Sequence, residues 1–163
     1  MSTVISIGNQ DFESIRKSKS FYIDKTAFIK EWWENNDSVT LITRPRRFGK
    51  TLNLSTLHCF FSVKYKGRSD LFENLSIWKE KKYRDLQGTY PVIFLSFASV
   101  KGITYESARE SILLLLEELY QQHSFLLEKG ILNPKETEYF QKVGTEMSDA
   151  EAAMAIPKLA YHL

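Results

Sequence analysis

The spacing of apolar residues predicts several amphipathic helices along the chain. Near the N-terminus, Phe28, Ile29, Trp32 and Trp33 recur at helical intervals and indicate a buried stripe on one short helix. A longer helix is expected from about Gly49 to Tyr65, because leucine and phenylalanine recur through that segment. A short helix is also expected at Asp11–Arg16.

The C-terminal part of the chain is predicted to be helical throughout. Thr104 can cap a long leucine-rich helix that ends near Gly130. Asn133 and Pro134 indicate the start of a further helix, with proline at its first position. Residues Ser148 to Leu163 form the last predicted helix.

Two continuous apolar runs predict strands that are buried on both faces. Val39–Thr43 and Val92–Phe97 show little polar alternation, which is typical of central strands in a parallel sheet. The predicted fold class is therefore α/β, with a parallel sheet core flanked by helices and a helical C-terminal part. A finished doubly wound sheet has roughly five strands, so we expect residues 1–163 to be the N-terminal portion of a larger domain.

Composition and charge narrow the class of protein. The chain has 163 residues and a formal net charge of +2. Residues 1–100 carry 16 Lys/Arg against 10 Asp/Glu, whereas residues 101–163 carry 6 against 10, and a basic front part suits an anionic ligand. The single Cys59 and the three histidines show no metal-ligand spacing. The chain has no long apolar run, which predicts a cytoplasmic protein with no membrane partner. The sequence does not indicate its oligomeric state.

The segment from Arg44 to Thr51 is the strongest candidate for chemistry. Its end, Gly49-Lys50-Thr51, follows a predicted strand and opens a predicted helix, which is the context of a Walker A phosphate-binding loop. The pattern expects glycine where this chain has Arg44. The fold is thus predicted to be an incomplete P-loop NTPase-like domain.

Each residue type in this loop has a physical role toward phosphate. Gly49 can adopt the strained conformation at the helix entry, Lys50 can reach the β- and γ-phosphates, and the Thr51 hydroxyl can bind Mg²⁺. Pro45 removes one N–H donor, and the arginines can offset that loss with guanidinium contacts. The predicted nucleotide-binding residues are Arg44, Pro45, Arg46, Arg47, Phe48, Gly49, Lys50, Thr51 and Leu52, with Thr51 as the metal ligand. A basic turn with a coincidental Gly-Lys-Thr is the alternative.

Other polar residues have a structural and a functional interpretation. Asp24-Lys25-Thr26 precedes a predicted helix, so it is either an N-terminal cap or a segment near the nucleotide. Ser96 is either a ligand-facing residue at a strand end or a turn residue. His58 and Cys59 are predicted to be helix residues near the core.

The chain resembles the AAA-ATPase-like family of P-loop proteins, whose longer members often carry a PD-(D/E)XK nuclease-like domain. The resemblance covers about residues 7 to 120 and rests on Phe12, Tyr22-Ile23-Asp24-Lys25-Thr26, Ile29, Arg44 to Leu52, Ser55-Thr56-Leu57, Phe60-Phe61 and Tyr90 to Phe97. It implies that Arg44 in place of glycine is a family feature and that ATP with Mg²⁺ is the ligand. The Walker B strand and the nuclease-like domain have no counterpart here, so the resemblance implies poor hydrolysis by this chain alone.

Two functions are therefore expected from the sequence. The first is ATP binding by an N-terminal fragment of an AAA-ATPase-like protein, with hydrolysis requiring the missing Walker B portion. The alternative is a nucleic-acid-binding or partner-binding module that uses the arginine cluster at 44–47. Nucleic acid is also a possible partner of the full-length protein.

Overall fold

A computed structural model describes residues 5–45, 47–128 and 130–163. These residues form eight α-helices and separate into two compact units, one ending at Val92 and the other beginning at Ile93. No helix in the described ranges is long and apolar enough to cross a membrane.

The first unit is built on four helices and three single 3₁₀ turns. The helices are α1 (Phe12–Lys17), α2 (Ala27–Asn35), α3 (Lys50–Phe61) and α4 (Lys81–Leu86). The 3₁₀ turns are Val63–Tyr65, Ser69–Leu71 and Ser76–Lys79. Their fully buried side chains, which form one continuous core, include Phe12, Ile29, Phe60, Phe72 and Tyr83. The aromatic rings meet at several angles, for example Phe60 and Phe72 edge-to-face at 5.3 Å.

A buried hydrogen-bond relay fixes the start of α1 against α3. Asp11 caps α1 by accepting from the Ser14 backbone N–H. The other Asp11 oxygen accepts from the Ser55 hydroxyl at 3.1 Å, and Ser55 Oγ accepts from the Phe12 N–H at 3.0 Å. Because Ser55 lies in the middle of α3, these hydrogen bonds hold the middle of α3 against the first turn of α1.

The second unit is a helical cluster with strongly capped helices. It contains α5 (Tyr105–Gln121), α6 (Phe125–Glu128), α7 (Pro134–Lys142) and α8 (Asp149–His162), preceded by a 3₁₀ turn at Phe97–Ser99. Capping boxes open three of the helices, at Thr104, Asn133 and Ser148. The core side chains that these helices bury include Leu113, Leu116, Leu119, Tyr120, Phe140, Ala155 and Leu159.

The predicted α/β class with a parallel sheet core is wrong: the described residues form no strand, and the fold is helical. Val39–Thr43 and Val92–Ser96 lack regular secondary structure, and Phe97 begins a 3₁₀ turn. The β pairing found in the described ranges is one isolated parallel bridge between Ser62 and Tyr90. Val39 and Leu41 are 87% and 83% exposed, so the first apolar run is not sandwiched between two layers. A strand needs a neighbouring strand that pairs with its backbone N–H and C=O groups, and the apolar composition of a segment does not show whether such a neighbour exists.

Candidate phosphate-binding site

The loop that contains the predicted site leads directly into α3, as expected. Gly49 is the residue before the first helical position and has φ 76° and ψ 21°, in the left-handed region. A Cβ built at Gly49 would meet nothing within 4 Å, so glycine is required there by its backbone conformation and not by crowding. Glycine also brings no capping side chain to the start of α3. The first-turn N–H groups are thus left for water or an anion.

Lys50 closes the loop from the first position of α3. Its Nζ donates hydrogen bonds to the carbonyl oxygens of Arg44 and Pro45, the latter at 3.0 Å. The side chain therefore folds back over the loop and places its ammonium beside the α3 N-terminus. Carbonyl oxygens and phosphate oxygens are both acceptors, so a phosphate oxygen would compete with these two carbonyls for the ammonium.

The described arginines of the loop add positive charge that is not neutralised. Arg44 and Arg47 are exposed, and Arg47 has a positive φ of 69°. In the parts of the chain that the structure describes, no carboxylate lies within ion-pair distance of either guanidinium. Arg46 lies outside the described residues. Both described guanidinium groups are consequently available to an anionic ligand.

The remaining predicted site residues divide between exposed positions and one that packs against the core. Thr51 is exposed at the helix start, and Phe48 is 59% exposed. The Leu52 side chain packs against the first unit's core, and its carbonyl accepts from the Thr56 hydroxyl at 2.8 Å. Only the backbone N–H of Leu52 could therefore contact a ligand.

A cleft of about 590 Å³ lies beside the loop within the first unit. Its size is in the range of small-molecule sites. The cationic residues in its wall are Lys25, Arg44 and Lys50. Its apolar residues are Phe28, Trp32, Ile42, Phe48, Leu54 and Leu57. Two carboxylates, Glu31 and Asp37, also line it. The loop thus opens into a cavity that combines charged groups of both signs, three of them positive, with an apolar surface.

The Asp24-Lys25-Thr26 segment has mainly a structural role. Asp24 accepts from the Thr26 N–H and hydroxyl at 2.8 and 2.6 Å, and from the Ser76 N–H and hydroxyl at 2.7 and 2.6 Å. Partial burial alone would raise the pKa of Asp24, but these hydrogen bonds outweigh it and lower the pKa to about 2. Thr26, with no exposed surface, makes no capping bond itself. Asp24 therefore ties the start of α2 to the 3₁₀ turn at Ser76–Lys79, while Lys25 lines the cleft.

Two other candidate residues have structural surroundings. Ser96 Oγ accepts from the Ala98 N–H at 3.4 Å, which makes it a turn residue. Cys59 is buried in α3, and burial raises the pKa of its thiol to about 11, so it is not a reactive thiolate at neutral pH. Among the described residues, no group of three His, Cys, Asp or Glu side chains could hold a metal ion.

The role of α2 in the cleft was not predicted. The spacing of Phe28, Ile29, Trp32 and Trp33 indicated one buried stripe. In the structure Ile29 is fully buried and the other three are partly buried against the same core, so the predicted stripe is present. Phe28 and Trp32 in addition line the cleft. Two adjacent pairs of large apolar residues form a stripe wide enough to serve two faces, and that width was the available signal.

The loop and the cleft lie in a part of the chain that matches the sequence model of one protein family. The sequence model of the AAA-ATPase-like family, described as Predicted AAA-ATPase, matches residues 6–156, so the chain belongs to this family. This confirms the resemblance and places the chain among ATPase-like proteins, for which nucleotide binding is the general expectation.

One similar protein is much longer than this chain. It is an uncharacterized protein in the vnfD 5′ region of Azotobacter chroococcum mcd 1, with 36% identity over 94 residues. The aligned part is 57% of this chain and 17% of the relative. The chain thus spans less than a fifth of that protein. No solved structure matches the chain.

Proposed function

We propose that the loop from Arg44 to Leu52 binds the phosphates of ATP. The observation that carries this proposal is the position of Lys50, whose ammonium is folded over the loop carbonyls at the start of a helix capped by a left-handed glycine. Helix N-termini attract anions through their free N–H groups and the helix dipole. Lysine at this point adds a full charge that can follow the phosphate oxygens.

The donor set fits a Mg²⁺-bound nucleotide. Arg44 and Arg47 are exposed and lack carboxylate partners among the described residues, so they can replace the N–H donor that Pro45 lacks. Mg²⁺ typically takes one or two protein oxygens, phosphate oxygens and water. The exposed Thr51 hydroxyl would be the protein ligand.

We also propose that this chain alone hydrolyses ATP slowly or not at all. A P-loop ATPase uses a carboxylate at the end of an apolar strand to anchor the metal and orient the attacking water. The described residues form no strand that could place such a carboxylate. Hydrolysis would then depend on a further portion of a longer protein, as would any process that ATP drives.

Calorimetric titration with Mg·ATP tests the phosphate-binding proposal. Lys50→Ala should weaken ATP binding at least tenfold, whereas Lys81→Ala, which removes an exposed lysine of α4, should leave it unchanged. Circular dichroism of both variants controls for folding. Equal ATP affinity in the wild type and in a folded Lys50→Ala variant would overturn the role of Lys50.

The exposed arginines also favour a second candidate function, binding to a nucleic-acid backbone. Such binding would weaken steeply with salt and would be indifferent to the γ-phosphate. Competition of ATP, ADP and single-stranded DNA at two salt concentrations separates the two functions. Preference for ATP over ADP at both concentrations supports the nucleotide site.

A further inference from the structure

We infer that the cleft beside the phosphate loop is the base subsite of this nucleotide site and that Trp32 is the residue on which the base stacks. The inference rests on the proposed function, because it takes the phosphates to be held at Lys50. It adds what the loop alone does not give: a residue that recognises the nucleoside part of the ligand.

The two helices that form the cleft each present one face to it. On α2 the lining residues are Phe28, Glu31, Trp32 and Asn35, which follow the i, i+3, i+4, i+7 spacing of a single helix face. On α3 the lining residues are Lys50, Asn53, Leu54 and Leu57, with the same spacing. Seven residues of helix rise about 10 Å, so the cleft is an elongated groove along both helices.

The chemistry of the groove changes along α3. Lys50 stands at the N-terminal end of that helix, and Leu54 and Leu57 follow one and two turns later. Trp32 is in edge-to-face contact with Phe61, the last residue of α3, at 5.5 Å between ring centroids. Lys50 and Phe61 are separated by about 16 Å of helix rise. Trp32 therefore contacts the end of α3 opposite to Lys50, just as the base of a nucleoside triphosphate lies away from its phosphates.

The Trp32 ring is held in place before any ligand binds. Its indole N–H donates to the Thr40 hydroxyl at 3.0 Å, and Phe61 contacts the ring edge-to-face. The side chain is half-buried and still borders the cleft. A fixed, partly open indole costs little conformational entropy on binding and offers a flat surface to an aromatic base.

The occupant is a heteroaromatic base and not a purely apolar molecule. Asn35, Asn53, Thr40 and Asp37 line the same cleft, and their amide, hydroxyl and carboxylate groups can bond the edge of a base while its face lies on Trp32. Lys25, just before α2, is a further cation of the cleft besides Arg44 and Lys50.

Binding of ATP and of inorganic tripolyphosphate to Trp32 variants tests this inference. Trp32→Leu should weaken ATP binding about tenfold and leave tripolyphosphate binding unchanged, and Trp32→Phe should have a smaller effect. Retained tripolyphosphate binding shows that the variant is folded. An unchanged ratio of ATP to tripolyphosphate affinity in a folded Trp32→Leu variant would overturn the assignment.

Wild-type tryptophan fluorescence gives a second test that needs no stable leucine variant. ATP should change the emission and tripolyphosphate should not, and Trp32→Phe should abolish the change although Trp33 and Trp78 remain. Absence of any ATP-specific change at saturation contradicts the base subsite. If the proposed function itself is wrong, the result is a different one: neither ATP binding nor tripolyphosphate binding will depend on Lys50.

Discussion

The Lys50 ammonium donates a hydrogen bond to the Pro45 carbonyl oxygen at 3.0 Å, across the loop that ends at Gly49. This bond and its neighbour to the Arg44 carbonyl hold the cation at the helix start at a small net cost, because the carbonyls replace water. A phosphate group that enters must compete with these two carbonyls. Its advantage is its negative charge: the ammonium is charged in both kinds of bond, and only the phosphate adds the attraction between two opposite charges.

Replacement of Gly49 by alanine should reduce both stability and ATP affinity. Alanine at φ 76° costs about 1–2 kcal/mol, and the loop would relax away from the geometry that faces the ligand. Gly67 is a matched control, because it has φ 78° and equally open surroundings but lies outside the loop from Arg44 to Leu52. Urea denaturation should show a similar loss for both variants, whereas titration should show weaker ATP binding only for Gly49→Ala. Equal loss of ATP affinity in Gly67→Ala would mean that strain anywhere in the unit impairs binding.

Asp24→Asn should destabilise the first unit by about 1–2 kcal/mol at pH 7, because an amide cannot accept all the bonds that Thr26 and Ser76 donate to the carboxylate. The folded-state pKa of Asp24 is about 2, below its ordinary value of 3.8. The stability that Asp24 contributes is thus fully present above pH 3.8 and is lost as the pH falls through 2.

Urea denaturation of the wild type and Asp24→Asn at pH 7 and pH 2.5 measures this difference, which should shrink at the lower pH. Asp85→Asn, at an exposed position of α4, should have little effect at either pH. A difference between wild type and Asp24→Asn that is independent of pH would contradict the ionised network.

Local features were predictable where neighbouring residues alone determine them. The start of α7 with Pro134 at its first position was predicted from Asn133 and Pro134, and the structure confirms it. The structure also shows that the Asn133 side-chain oxygen caps the helix by accepting from the N–H groups of Lys135 and Glu136. The position of Gly49 before the first helical residue of α3 is confirmed for the same reason.

Features that depend on distant partners were not predictable. Val39 and Leu41 have the composition of a buried strand and are exposed, since composition does not specify which segment pairs with them. Trp32 packs against the core as predicted, but its second role in the cleft wall was not predictable, because the spacing of a helix face does not tell a core from a cleft. The Asp24–Ser76 bonds join residues 52 positions apart, and no local pattern indicates such a pair.

The thiol of Cys59 should be nearly inert in the folded protein. Burial raises its pKa from 9.0 to about 11, so its thiolate fraction at pH 8 is roughly 100-fold below that of an ordinary thiol. Reaction with a disulfide reagent at pH 8, followed by absorbance, should therefore be slow in buffer and fast in guanidinium chloride. Fast labelling of folded protein would show that α3 opens readily around Cys59.

Removal of the two described loop arginines should weaken ATP binding and should make the remaining affinity less dependent on salt. Arg44 and Arg47 are exposed beside Lys50, and each guanidinium that contacts a phosphate contributes a charge-assisted bond. We expect the Arg44→Ala/Arg47→Ala variant to bind ATP about tenfold more weakly, which corresponds to about 1.4 kcal/mol. Its affinity should also fall less steeply between low and high salt.

A variant with the same change in net charge separates local contacts from the overall field of the protein. Lys79→Ala/Lys81→Ala removes two positive charges at exposed positions outside the cleft, and it should keep wild-type affinity at 0.15 M salt, where the Debye length is about 8 Å. If both double variants lose the same affinity, the arginines act only through net charge. If the arginine variant keeps its ATP affinity but no longer binds single-stranded DNA, the arginines serve nucleic acid, and phosphate binding rests on Lys50 and the α3 N-terminus alone.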